Sequence, residues 1–256
     1  MIAITARRHL LPASIVALSG AAWATLWLND SSHAAMHGHH HHGAVAGATA
    51  PLPAALMFIG SWTMMTVAMM LPTSLPVLRT FQTIAGARKD RALLVGLVAS
   101  GYLVTWASFG ASVHVAELGL RRLALASLWA REHAWTIGGV ILLGAGSYQF
   151  TPLKYRCLDK CRSPLSFVIE HWQGRHERRQ AFRLGVHHGL FCVGCCWALM
   201  LLMFVVGTAN VVGMLVLGMV MAVEKNVTWG RRLAGPLGVV LIVWGIVTLV
   251  AAGVST

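Results

Sequence analysis

The sequence predicts an all-α protein: a polytopic membrane bundle of about seven transmembrane helices with its N-terminus in the cytoplasm. Three observations predict it. Of the 256 residues, 57% are hydrophobic and only 11% are charged, where a soluble domain carries roughly 25% charged residues. Apolar runs close to the ~20 residues needed to cross a bilayer recur along the chain. The charges are also lopsided, with 20 Lys and Arg against 8 Asp and Glu and a net charge of +12. Such an excess elsewhere fits nucleic-acid binding. Here the basic residues sit in short connections between apolar runs, which suits an anionic lipid bilayer as the partner and no nucleic acid.

The expected spans are Leu10–Leu28, Ala54–Leu71, Ala92–Val113, Ala134–Phe150, His188–Thr208, Val211–Val223 and Ala234–Val250. The sixth is short and tightly joined to the fifth, so a re-entrant or tilted segment is the alternative there. With the N-terminus inside, seventeen of the twenty Lys and Arg face the cytoplasm, leaving only Arg121, Arg122 and Arg131 outside. Lys and Arg in short loops set orientation, so the reverse placement fits poorly. The first run reads as an uncleaved anchor. A secretory signal is the alternative, with Arg7 and Arg8 as its basic start and Ser32-His33-Ala34 as its cleavage site. Both put the next stretch outside. The segment Leu120–His133 alternates Arg121, Arg122 and Arg131 with Leu123, Leu125, Leu128 and Trp129, and reads as an amphipathic helix lying at the outer interface. Residues 1–52 thus form an anchor helix with an external His-rich segment, and residues 53–256 a multi-helix membrane domain.

Four clusters carry soft metal-ligand chemistry. On the second run, Trp62, Met65, Met69, Pro72 and Pro76 share one helical face, with Met64 and Met70 flanking it. A thioether is neutral and soft, so it binds Cu(I) without burying a charge; the plainer reading is that Met fills helix interfaces. The fifth run holds His188, Cys192, Cys196 and Met203 on one stripe, with Cys195 about 100° away and Met200 nearby. Thiolates there suit a soft metal or redox chemistry, although Cys also packs as a small apolar residue. Cys157 and Cys161 lie in the large inner loop among Lys154, Arg156, Lys160 and Arg162. In the reducing cytoplasm a structural disulfide is disfavoured, and the neighbouring cations should lower the thiol pKa values and favour a soft cation; two ordinary reduced cysteines are the alternative. Outside, His37, His39, His40, His41 and His42 form a metal-avid tract suited to Cu(II), Zn(II) or Ni(II). It reads as a collecting arm or as an internal affinity tag. Two ionisable pairs, His114–Glu117 and Glu224–Lys225, lie near membrane depth, where such groups are functional by default; Glu224–Lys225 also reads as a helix-end anchor. No phosphate-binding GxxxxGK[ST] and no GxGxxG after a strand occurs.

Three blocks taken together resemble a known family: Met65-Thr-Val-Ala-Met-Met-Leu-Pro72, Thr151-Pro-Leu-Lys followed by Cys157-Leu-Asp-Lys-Cys-Arg-Ser-Pro-Leu165, and His188-Gly-Leu-Phe-Cys-Val-Gly-Cys-Cys-Trp-Ala-Leu-Met200. They are similar to the bacterial family of domain of unknown function 2182, described as metal-binding integral membrane proteins and in places as copper chaperones. The resemblance spans roughly Leu56 to Trp244. It implies metal handling by Met65, Met69, Met70, Cys157, Cys161, Cys192, Cys195 and Cys196, and says nothing of the His tract.

The expected function is therefore copper handling in a bacterial inner membrane. A copper ion, as Cu(I), would be moved across the bilayer or delivered to a partner metalloprotein or periplasmic metal-binding partner. The first alternative is a membrane thiol–disulfide oxidoreductase or metal-dependent oxidase that pairs Cys192 with Cys195 or Cys196. The second is a non-catalytic membrane subunit whose Met and Cys side chains simply pack.

Overall fold

A computed structural model of the chain describes residues 2–36, 51–86, 88–126, 134–207 and 210–254. Among the described residues every regular element is helical: α1 (Ile2–Met36), α2 (Pro51–Met69), a 3-10 turn (Pro72–Ser74), α3 (Leu75–Ala85), α4 (Arg91–Ala126), α5 (Ala134–Tyr148), α6 (Pro152–Arg162), α7 (Pro164–His171), α8 (Glu177–Val206), α9 (Val211–Asn226), a second 3-10 turn (Gly230–Leu233) and α10 (Ala234–Val254).

Five of these are long and apolar enough to cross a membrane, over Leu10–Leu28, Leu52–Met69, Arg91–Leu123, Glu177–Val206 and Gly230–Ala251. The count differs from the seven expected. The fourth and sixth runs form helices of 15 and 16 residues, which rise only about 22–24 Å at ~1.5 Å per residue and fall short of the ~30 Å hydrocarbon layer. The fifth run also differs. Its helix begins eleven residues earlier, at Glu177, so His188 lies well inside a 30-residue helix and not at its entrance. At the outer segment, α4 continues unbroken to Ala126 and Arg121 pairs with Glu117 one turn back (2.7 Å). This part is a continuation of the long helix, stabilised by an i,i+4 ion pair, and not a separate interfacial one; residues 127–133 lie outside the described residues.

Helix α8 is the centre of the bundle, with half of its apolar window buried against 17% for that of α1. Small residues let its neighbours close in. A Cβ on Gly185 would strike the Val98 carbonyl, and one on Gly101 the Phe182 carbonyl, so α4 and α8 touch backbone to backbone. The Thr151-Pro-Leu-Lys block is a helix start: the Thr151 hydroxyl accepts the Lys154 N–H (3.3 Å), and Pro152 takes the first turn, where no N–H is needed. Helix α6 packs on α8, and α3 packs on α7, with Phe81 edge-on to Trp172 (centroids 4.9 Å).

The end of α2 is shaped by Pro72. Proline has no N–H, so the Ala68 carbonyl loses its helical donor. Met70 and Leu71 both donate to Thr66 O (2.8 and 3.1 Å), which ends the regular helix at Met69. Two α1 side chains fill the vacancy at Ala68 O: the Ser19 hydroxyl at 2.8 Å and the Trp23 indole N–H at 3.2 Å.

Candidate functional site

The stripe on α8 faces inward as its spacing predicts. His188, Cys192, Cys195, Cys196, Met200 and Met203 are all buried. Cys195 Sγ lies 3.2 Å from Cys196 Sγ and donates to the Cys192 carbonyl (3.2 Å). All five cysteines are free thiols.

The Pro72 turn brings a second helix end to this stripe. Met70 has left the regular helix and is fully buried. Lys225, at the end of α9, inserts between the two: its Nζ donates to Cys192 Sγ (2.8 Å) and Thr73 Oγ1 (3.4 Å) and lies 3.6 Å from Met70 Sδ. The Tyr102 hydroxyl, from α4, lies 3.0 Å from Cys192 Sγ and donates to the Met70 carbonyl (3.3 Å). One turn before Cys192, the His188 ring stacks on Tyr102 (5.5 Å), and its buried Nδ1 has no hydrogen-bond partner among the described residues. Sulfur, imidazole, phenol and ammonium groups from α2, α4, α8 and α9 thus meet at Cys192.

Beside this cluster runs a buried ion pair. Lys154 Nζ bonds both Glu224 oxygens at 2.9 Å and also the Gln149 amide oxygen, with Lys154 and Glu224 at 0% and 1% exposure. Desolvating such a pair is costly, and its mutual attraction offsets the cost only with good geometry and further hydrogen bonds. Arg162 donates to the Glu224 and Thr228 carbonyls, so both ends of α6 are tied to α9.

Helix α6 carries Cys157 and Cys161 on its buried face. Cys161 Sγ lies 3.9 Å from Cys195 Sγ, and Cys157 packs on the α8 backbone at Gly194, where no Cβ would fit. Burial pushes the Cys157 thiol up, opposite to the shift expected from its basic neighbours. The reason is where those cations go: Lys154 turns to Glu224, Lys160 to Glu170 (2.6 Å), and Arg162 to backbone carbonyls.

The other expected residues disperse. Met65 and Met69 are buried on α2, but Met69 packs toward Gly218 of α9; of the three methionines, Met70 reaches the Lys225–Cys192 contact. His37, His39, His40, His41 and His42 lie outside the described residues. Among the described residues no group of three or more His, Cys, Asp or Glu is arranged as a ready metal site. Tyr102 and Gln149 are members that the sequence reading does not single out, whereas Lys225 enters it in the Glu224–Lys225 pair and Lys154 among the cations near Cys157 and Cys161. The signal for the two lysines is an ionisable residue near the end of an apolar run; Tyr102 lies mid-run and Gln149 is not ionisable, so neither carries it.

A family model described as PpoB2, copper chaperone, matches residues 59–248. This range holds every described member of the cluster. No curated protein and no solved structure matches the chain. The match supports the copper-related part of the resemblance noted in the sequence, though not the unknown-function label specifically. The chain belongs to the PpoB2 family of copper chaperones.

Proposed function

We propose that the protein is an integral membrane chaperone that carries Cu(I) on Cys192 and Cys196, with Met70 and His188 beside them, and passes it to a partner metalloprotein. The observation that carries this reading is the meeting of Met70, in the turn after α2, and Cys192 of α8 around one buried ammonium, Lys225. Thiolate and thioether donors select Cu(I), and this ion accepts as few as two soft donors. Two thiolates and one Cu(I) leave one negative charge, which is expensive to bury alone. Lys225 supplies the balancing cation.

Five apolar helices support a place in the membrane. The basic residues of the N-terminal half, Arg7, Arg8, Arg79, Arg88, Lys89 and Arg91, favour the bacterial inner membrane with the N-terminus inside, which puts the His tract outside, where it would gather metal. The reading as a packing subunit is less favoured, because Met65, Met69 and Met70 are 6%, 4% and 0% exposed and do not form a lipid-facing stripe.

The test is anaerobic Cu(I) titration of full-length protein against a chromophoric Cu(I) chelator, with His37 and His39 to His42 replaced. One tightly held ion per chain is expected, and it should be lost in Cys192→Ser/Cys196→Ser. Equal binding by the double variant, or none by the tract-free protein, refutes the reading.

A further inference from the structure

Cys161 and Cys195 are not needed to hold the ion proposed above, yet they stand sulfur to sulfur at 3.9 Å across the gap between α6 and α8. A disulfide needs ~2.05 Å between sulfurs, so the two sulfurs must close by roughly 2 Å to bond. The ties from Lys154 and Arg162 to α9 hold α6 on both sides of Cys161, which keeps the two thiols in register. Cys161, at 9% exposure, is the member nearer the surface, and Cys195 is at 1%. Cys195 in turn lies 3.2 Å from Cys196 Sγ, one of the soft donors of the carrier site.

We propose that Cys161 and Cys195 are an interhelical dithiol–disulfide couple that reduces Cu(II) to Cu(I) beside the carrier site. Two Cu(II) ions each take one electron. The two S–H bonds break, two protons leave to solvent, and the two sulfurs, each oxidised by one electron, join in one S–S bond. Two equivalents of a low-molecular-weight thiol restore the dithiol by exchange. The location serves the reaction: a thiolate and thioether site holds the product ion better than the substrate ion, so Cu(I) is captured where it forms. This inference rests on the Cu(I)-carrier reading for the fate of its product, but not for the redox step.

The experiment uses the full chain, fully reduced and under argon, mixed with Cu(II) in the presence of a Cu(I)-specific chromophore. Two Cu(I) should appear per disulfide formed, and peptide mapping should join Cys161 to Cys195. Cys161→Ser and Cys195→Ser should each slow Cu(I) formation by at least about tenfold, as loss of the resolving thiol does in exchange chemistry, while Cys157→Ser should not. A disulfide mapped elsewhere in the wild-type protein overturns the proposal without any variant, as does an unchanged rate in folded Cys161→Ser. Protein that binds Cu(I) but does not reduce Cu(II) removes the couple alone. Protein that reduces Cu(II) through this pair yet fails to hold Cu(I) supports the couple and removes the carrier reading.

Discussion

The ammonium of Lys225 lies 2.8 Å from the sulfur of Cys192, and both side chains are buried. Among the described residues no acidic side chain hydrogen-bonds to Cys192 or Lys225; the other groups on Nζ are the neutral Thr73 hydroxyl and Met70 thioether. A charge of about −1 on a bis-thiolate Cu(I) complex would gain up to ~4 kcal/mol from a cation 4 Å away at an effective dielectric constant of ~20. Lys225→Met should therefore weaken Cu(I) binding by at least about tenfold, which is ~1.4 kcal/mol, and Lys225→Arg should restore part of it. Competition titration against a Cu(I) chelator measures both.

Tyr102 spans the same junction, touching Cys192 Sγ and the Met70 carbonyl through one hydroxyl. Tyr102→Phe removes these bonds while keeping the ring on His188. A stability loss of about 1 kcal/mol is expected for a net hydrogen bond, together with faster Cu(I) release. Thermal unfolding and stopped-flow transfer to a chelator read the two effects separately.

Glu224→Gln leaves Lys154 buried without its charge partner. Breaking a buried pair from one side costs roughly 3–5 kcal/mol. The double change Lys154→Met/Glu224→Leu should be far milder, because no lone charge remains. Chemical denaturation in detergent distinguishes a charge-pair penalty from a packing loss by this comparison.

Cys157 should be a slow thiol. Burial favours its neutral form and raises its pKa above the ordinary thiol value. The reactive thiolate therefore appears only at more alkaline pH, and the alkylation rate of Cys157, followed by mass spectrometry, should rise later with pH than that of a free cysteine peptide. An inflection below the free peptide's contradicts the burial argument.

Gly185→Val tests the central helix contact. The added side chain meets the Val98 backbone, which cannot move aside as a flexible side chain can. A loss of about 1–3 kcal/mol, the usual range for overpacking, is expected, with weakened Cu(I) binding following from the displaced α8.

The legible and illegible parts of this protein divide along physical lines. Helices and soft-ligand clusters are local properties: Met65 and Met69 share a face by spacing alone, and the α8 stripe turns inward as its period requires. The positions of Met70 and Lys225 are not local. Met70 flanks the α2 stripe and meets Cys192 only where the end of α2 packs against α8, and Lys225 acquires a role only once the end of α9 docks there. The expected drop in the Cys157 thiol pKa fails for a related reason. Sequence neighbours such as Lys154 and Arg162 project elsewhere from α6, and burial then decides the shift. Span counting turns on length: among the described residues the fourth and sixth runs form helices of 15 and 16 residues, shorter than the five that are long enough to cross.

The hydrogen bonds from Ser19 and Trp23 to the Ala68 carbonyl come from a helix that precedes the matched family region, residues 59–248. A fragment trimmed to that region would keep every cysteine and the turn at Pro72, yet it would leave the Ala68 carbonyl without these two donors. The leading helix is thus a prop in cis for the turn that delivers Met70, and the copper-handling core is not self-sufficient in backbone hydrogen bonding.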